Sequence, residues 1–146
     1  MALSQTAEHA LRAVIFLARQ PAGARVPAEV IADALAAPRN YMSKTLGTLA
    51  RAGLVTSARG PRGGFRLEIP ATELSIARVV DSFDEPRGPS ACLVGGRACD
   101  PANPCQAHER WRVVRRGSRA PMETTTIADL LGRSADAGDR LDARVA

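Results

Sequence analysis

Three apolar stripes with helical spacing occupy the first 50 residues of this chain, and they restrict it to a small set of helical folds. One stripe lies between Ser4 and Arg19, the next follows Pro27 and ends near Ala36, and the last follows Pro38. Their members recur at steps of three and four, as on one face of a helix: Ala7, Leu11, Val14, Ile15 and Ala18, then Val26, Val30, Ile31 and Leu35, then Met42, Leu46, Leu49 and Ala50. Aromatic residues make up only 3% of the chain, and a core of Ala, Leu, Val and Ile favours helices. Two short helices joined by a tight corner predict a helix-turn-helix.

A β-hairpin is predicted directly after the third helix. Residues 54–57 read as a short strand, residues 60–64 as a Gly- and Pro-rich turn, and residues 65–69 as the returning strand. Arg59, Arg62 and Arg66 lie at or near its tip, where Gly63 and Gly64 let the backbone bend sharply. The turn lacks the Lys-Ser/Thr pair of a nucleotide-binding P-loop. The sequence therefore predicts a mainly α fold with a small β-hairpin, a winged helix-turn-helix.

Charge and residue type indicate that this half of the chain meets a polyanion. The net charge of +5 lies entirely in residues 1–70, which hold nine basic and four acidic residues. The polar face of the third helix carries Asn40, Lys44, Gly47 and Arg51, with further polar residues at its N-terminal end. In a helix-turn-helix that end enters the major groove of DNA. We therefore predict binding to double-stranded DNA rather than a merely solvated surface.

Three cysteines lie within one short Gly- and Pro-rich stretch. They are Cys92, Cys99 and Cys105, with His108 close behind, and an odd number cannot close into internal disulfides. Clustered thiolates beside an imidazole suit an iron-sulfur cluster or a zinc ion. Zinc sites usually contain a pair of ligands two to four residues apart, which only Cys105 and His108 provide. The spacing favours iron-sulfur, with a structural zinc and redox-active thiols as alternatives.

The runs RNYMSKTLGTLARAGLV and RGPRGGFRL, followed by LSIARVVDSFD, the cysteine cluster and TTIADLL, resemble the Rrf2 family of bacterial transcription factors, which includes IscR and NsrR. The resemblance covers roughly residues 1–132. It implies a cytoplasmic homodimer whose operator binding is controlled by a 2Fe-2S or 4Fe-4S cluster that senses nitric oxide, redox state or iron and cluster status. It also implies that Cys92, Cys99 and Cys105 ligate that cluster. The fourth ligand is left open between His108 and Glu8 of the partner subunit.

The resemblance also assigns the residues that touch DNA. It implies that the N-terminal end of the third helix faces the major groove and that the wing follows the backbone or the minor groove. Together with Arg51, on the same helix face, the predicted contact residues are Arg39, Asn40, Tyr41, Ser43, Lys44, Arg51, Arg59, Arg62, Gly63, Gly64 and Arg66.

The remaining sequence predicts a second, sensing part. Ser75 is expected to cap a helix that packs on the winged domain. After the cysteines, an amphipathic helix is expected to pair with its twin in the dimer and to be short or kinked because of Pro121. A small helix ending near Gly132 follows. We expect a DNA-binding domain over residues 1–84, a cluster loop and dimerisation helix over 85–132, and a disordered tail over 133–146.

Other function classes fit the sequence less well. An enzyme with a cysteine nucleophile and His108 as its base would lack an orienting partner and an oxyanion motif. An iron-sulfur electron carrier would leave the basic winged half without a role. No secretory leader and no apolar run of roughly 20 residues is present, so we expect a cytosolic protein without membrane contact or organic substrate.

Overall fold

The computed structural model describes residues 3–84, 102 and 107–136 of the chain. The described elements follow the predicted order of three helices, a hairpin and three further helices. They are α1 (Gln5–Ala18), α2 (Ala28–Ala34), α3 (Arg39–Arg51), β1 (Val55–Ala58), β2 (Gly64–Leu67), α4 (Ile76–Val80), α5 (His108–Thr124) and α6 (Ile127–Asp136). The mainly helical winged fold is confirmed. No helix within the described ranges is both long and apolar enough to span a membrane.

The core lies where α1, α2, α3 and the hairpin meet. The predicted stripe of α3 is buried at Met42, Leu46 and Leu49, and Val14 of α1 and Ile31 of α2 are fully buried with them. Burying such aliphatic side chains contributes roughly 1.5–3 kcal/mol each, so this contact holds the helix-turn-helix together. It also fixes which face of α3 remains exposed.

One predicted stripe is wrong in part. Val30 is 49% exposed on α2, although the spacing assigned it to the buried face. Val26 is buried, but it lies before the helix and forms an isolated β-bridge with Phe65. Because Val26 is committed to the sheet, α2 starts only at Ala28, and the helical phase counted from Val26 does not apply.

The turn between α2 and α3 contains a left-handed residue that is not glycine. Ala36 has φ of 50°, and the amide of Ala37 donates to the carbonyl of Ala32 at 2.9 Å. This is the hydrogen bond that closes a helix whose final residue turns left-handed. The corner of the helix-turn-helix therefore forms before Pro38 is reached.

The hairpin is antiparallel, with Val55 opposite Leu67 and Ala58 opposite Gly64. Val26 adds a third strand position through two reciprocal backbone hydrogen bonds with Phe65, at 2.9 and 2.8 Å. A two-stranded hairpin by itself is marginally stable. This extra pairing therefore anchors the wing to the segment between α1 and α2.

The C-terminal part packs back on the winged domain. Ser75 caps α4 as predicted, its hydroxyl accepting from the amide of Arg78. Thr126 pairs with Ser75 in a β-bridge, and the amide of Ile127 donates to the carbonyl of Leu74 at 2.8 Å. These bonds place α6 against α1 and the segment before α4, with Ile127 fully buried.

Helix α5 is longer than predicted. It runs for 17 residues and continues through Pro121. Proline cannot donate to the carbonyl four residues earlier, which here belongs to the exposed Gly117, so water can satisfy that carbonyl. Helix α6 likewise extends past Gly132, to Asp136.

Candidate nucleic-acid interface

The exposed side of α3 carries the predicted polar residues. Asn40, Ser43 and Lys44 are exposed, while Met42 and Leu46 on the opposite side are buried. A helix of 13 residues is about 20 Å long and narrow enough for the major groove. These side chains are therefore accessible to a ligand, and their contact with DNA stays a prediction.

Tyr41 differs from its neighbours because it is half-buried. Its ring meets the ring of His9 on α1 edge to face, with centroids 5.4 Å apart and planes at 82°. The contact fixes the Tyr41 ring against α1. Only the exposed part of the side chain is available to a ligand.

Arg39 begins α3 and forms an ion pair with Asp33 of α2. Nη2 of Arg39 lies 3.0 Å from Oδ2 of Asp33, and Nε lies 3.4 Å from Oδ1. The hydrogen bond and the charge of Asp33 raise the pKa of Arg39 above its ordinary value. Both side chains are largely exposed, at 62% and 61%.

Arg51 closes the other end of α3. It is exposed, and its Nη2 donates to the hydroxyl of Thr48 at 2.9 Å, while that hydroxyl donates to the carbonyl of Lys44 at 3.2 Å. Arg51 is therefore held along the helix by a neutral hydroxyl. Its charge remains available to a phosphate.

The wing presents its arginines at two levels. Arg59 and Arg62 are exposed at the tip, whereas Arg66 is half-buried on β2 with its Nε 3.4 Å from the hydroxyl of Thr56. The tip is thus the more accessible source of positive charge. Arg66 lies within the hairpin, opposite Thr56 and away from the tip.

Gly63 and Gly64 are required by the backbone of the wing. A Cβ on Gly63 would lie 2.4 Å from the carbonyl oxygen of Ala58, and one on Gly64 would lie 2.6 Å from the carbonyl of Val26. Gly64 also has φ of 124°, a conformation that residues with a side chain rarely adopt. Their predicted place in the wing is explained by sterics.

Arg25 is a residue of this region that sequence reasoning missed. Its Nη1 lies 3.5 Å from the carbonyl oxygens of both Thr56 and Gly64. It therefore joins the segment before α2 to both strands of the wing. The signal in the sequence was weak, because Arg25 is distant in sequence from both partners and follows no helical spacing.

The predicted metal ligands are only partly within the described chain. Cys92, Cys99 and Cys105 lie outside the described residues, and His108 is described only as the first residue of α5. Glu8 is exposed in the first turn of α1 and forms an ion pair with Arg12. Within residues 3–84 and 107–136, the side chains described include no group of three His, Cys, Asp or Glu that could hold a metal.

The segment between Asp84 and α5, which contains the cysteines, joins two parts of the chain that contact the rest of the fold. The amide of Ser4, which caps α1, donates to Asp84 at 3.1 Å. Nη1 and Nη2 of Arg119 on α5 donate to the two carboxylate oxygens of Asp81, at 2.6 and 2.5 Å. Asp81 and Glu123 raise the pKa of Arg119 above its ordinary value through hydrogen bonds and charge. The segment is thus bordered by contacts with α1 and α4.

Comparison with known proteins now identifies the family. A profile of the Rrf2 family, described as an iron-dependent transcriptional regulator, matches residues 3–133. The chain belongs to the Rrf2 family. An HTH-type transcriptional regulator of Mycobacterium tuberculosis is 36% identical over 135 residues, covering 90% of this chain and 82% of the relative. One from Aquifex aeolicus is 31% identical over 133 residues, covering 90% and 92%.

Solved structures confirm the fold of this Rrf2 protein. CymR, the global cysteine regulator of B. subtilis, superposes with a TM-score of 0.75 at 24% identity, covering 95% of this chain and 99% of CymR. IscR of T. potens superposes with a TM-score of 0.76 at 20% identity, covering 95% and 92%. The family and the relatives make the chain a transcriptional regulator with a DNA-binding winged helix, and not an enzyme.

Proposed function

We propose that this Rrf2 regulator is a cytoplasmic homodimer that binds a two-part operator and that an iron-sulfur cluster controls the binding. The observation that carries the DNA-binding part is the exposed polar face of α3, continued by the arginines of the wing. Lys44, Arg51, Arg59 and Arg62 are exposed there, on consecutive elements of one packed domain. This distribution supports α3 in the major groove with the wing on the neighbouring backbone.

Dimerisation is supported by an exposed apolar side chain on α5. Val113 is 60% exposed on this helix, although Val is usually buried. A second copy of α5 would cover it in the dimer. Adjacent major grooves on one side of DNA are about 34 Å apart, so the dimer contact would also set the distance between the two copies of α3.

The donor set of the cysteine segment suits an iron-sulfur cluster. Cys92, Cys99 and Cys105 would hold it together with His108 or the partner subunit's Glu8. Such a cluster supplies a centre that reacts with nitric oxide or oxidants and that depends on iron supply. In the single subunit, one carboxylate oxygen of Glu8 is paired with Arg12.

The residues of this chain connect that segment to the DNA-binding surface. Asp84 holds the N-terminus of α1, and Asp81 holds α5 through Arg119. When the cysteine-containing segment between Asp84 and α5 changes shape, α1 and α5 are the elements that shift, and the spacing of the two copies of α3 changes with them. A coupling of roughly 1–3 kcal/mol would change operator affinity by about 5- to 150-fold.

The DNA-binding part is tested by the salt dependence of duplex binding. Each phosphate neutralised contributes about −0.9 to the slope of log K against log salt. Removing Arg59 and Arg62 together should reduce the slope of a dimer by roughly 4, because two charges are lost from each subunit. Arg78→Ala is the matched control, since it removes an exposed charge from α4. Equal slopes for wild type and the wing variant would refute the role of the wing.

The cluster is tested on protein purified without oxygen. Iron and acid-labile sulfide should be present together with visible absorption, and operator affinity should differ between loaded and cluster-free protein. Glu8→Gln and Arg12→Gln both break the same ion pair, but only the former removes a carboxylate ligand. A spectral change confined to Glu8→Gln would assign Glu8, and one on His108→Ala would assign His108. Stoichiometric zinc, or neither iron nor sulfide after reconstitution, would refute the cluster.

A further inference from the structure

Arg39 differs from the other basic residues of the interface in what holds it. Arg51 and Arg66 donate to the hydroxyls of Thr48 and Thr56, whereas Arg39 is gripped by the carboxylate of Asp33. Asp33 lies on α2, so the pair crosses the corner of the helix-turn-helix. Arg39 is therefore fixed relative to both helices at the N-terminal end of α3.

The way Asp33 binds leaves one edge of the guanidinium available. The carboxylate contacts Nε and Nη2, which form the side of the fork. A guanidinium carries five N–H donors, so the end of the fork keeps the two donors of Nη1 and the second donor of Nη2. Among the residues that the structure describes, no hydrogen bond is made by Nη1 of Arg39. Two parallel donors at that end match a planar pair of acceptors.

A guanine in the major groove offers such a pair, at O6 and N7. A phosphate would also accept two hydrogen bonds, but it is negatively charged, and Asp33 already stands 3.0 Å from the guanidinium. The charge of Glu29, also on α2, adds to the acidic surroundings of Arg39. Two nearby carboxylates therefore disfavour an anionic partner relative to an uncharged base edge.

We propose that Asp33 is a positioning residue that orients Arg39 so that the end of its guanidinium reads one guanine in each operator half-site. This inference rests on the proposed DNA-binding function and names the specificity of its recognition helix. Asp33 does not touch DNA in this arrangement. It restricts the Arg39 side chain before DNA binds, so that less conformational entropy is lost on binding. It also makes contact with a phosphate less favourable.

The test uses the full-length dimer and a library of random duplexes. Wild-type protein first selects its preferred duplex, and each base pair of that duplex is then exchanged singly while affinity is measured. Wild type should prefer guanine at one position of each half-site by about 5- to 150-fold. Arg39→Ala should abolish that preference and leave the preferences at other positions unchanged.

Asp33→Asn is the decisive variant, because it keeps the size of the side chain and removes its charge. It should reduce the preference for guanine at the same position by at least about threefold, while binding to other duplexes is kept or strengthened. Glu73→Gln is the matched control, since it also removes one exposed negative charge but is not among the groups that act on Arg39. It should leave the base preference as in wild type. A merely structural tie between α2 and α3 would alter unfolding without altering the preference at one base pair.

Three results would overturn the inference. Asp33→Asn would keep the full guanine preference if the carboxylate had no orienting role. Arg39→Ala would weaken all duplexes equally and lower the salt slope by about 1 for each subunit if Arg39 bound only phosphate. Wild type would select no duplex if the proposed function itself were wrong. Only this last result affects both proposals, so the two failures can be told apart.

Discussion

Replacing Gly64 with alanine should detach the wing from the domain. At φ of 124°, any residue with a side chain is strained, which costs on the order of 1–3 kcal/mol. The new Cβ would also lie 2.6 Å from the carbonyl carbon and oxygen of Val26. Those atoms cannot retreat freely, because Val26 and Phe65 exchange two backbone hydrogen bonds there. Losing one or both bonds adds roughly 1 kcal/mol each, so the total is about 2–5 kcal/mol.

Gly60→Ala provides the matched control. Gly60 also has a positive φ, 98°, but a Cβ built there meets nothing within 4 Å. The control therefore includes the backbone strain and omits the collision with Val26. The two variants should differ by about 1–2 kcal/mol, the value of the broken bridge.

Urea unfolding followed by circular dichroism measures this difference. The dependence of the free energy of unfolding on urea is about 1–3 kcal/mol per molar for small proteins. The midpoint of Gly64→Ala should thus lie roughly 0.3–2 M below that of Gly60→Ala. Equal midpoints would show that the contact between the wing and Val26 contributes nothing to stability. The anchoring role given to the bridge would then be refuted.

Three further changes test other parts of the structure. Ala36→Gly should stabilise the protein by about 0.5–1 kcal/mol in urea unfolding, because glycine adopts the left-handed conformation of that turn without strain. Arg119→Ala should destabilise it by about 1 kcal/mol by releasing Asp81, which is a modest value because both side chains are partly exposed. Thr126→Val should cost about 1 kcal/mol in thermal unfolding, because the Thr126 hydroxyl and the Asp129 carboxylate each accept from the other residue's amide at the start of α6.

The pH dependence of the Arg119 variant follows from the raised pKa of Arg119. A group whose pKa is raised by folding stabilises the folded state fully below its ordinary pKa and loses that effect only as the pH rises through the raised value. The loss caused by Arg119→Ala should therefore be constant between about pH 6 and pH 9. Glu123→Ala, which removes only the partner on the same helix, should cost less. A larger loss of stability for Glu123→Ala than for Arg119→Ala would contradict the role given to Asp81. If Ala36→Gly did not stabilise the protein, the strain assigned to Ala36 would be refuted.

Much of the winged domain was predictable because its signals are local. The helical spacing in α1 and α3 identified their buried faces, and the exposed face of α3 followed as the remainder. The cap at Ser75 was readable for the same reason, since a hydroxyl directly before an apolar run satisfies an amide three residues ahead. In each case the interacting groups are separated by only a few residues. Sequence order then decides spatial proximity.

Several features that sequence reasoning missed join residues that are distant in the sequence. Val26 pairs with Phe65 and Arg25 reaches Gly64, each across 39 positions, and Arg119 reaches Asp81 across 38. Val30 was assigned to the core because the helical spacing was counted from Val26, which the structure places in a β-bridge before α2. The spacing of apolar residues along the sequence does not indicate such contacts, because they depend on how complete helices and strands pack.

The sequence by itself determined the elements, their order, the basic face and the family, since these follow from side-chain periodicity, charge and turn residues along short stretches. Tertiary structure alone decided that the wing is anchored by Val26, that Arg39 is held by Asp33 and that α5 is tied to α4. The physical reason is that a helix or hairpin forms from neighbouring residues, whereas an ion pair or a β-bridge between elements exists only after packing has brought its two partners within hydrogen-bonding distance.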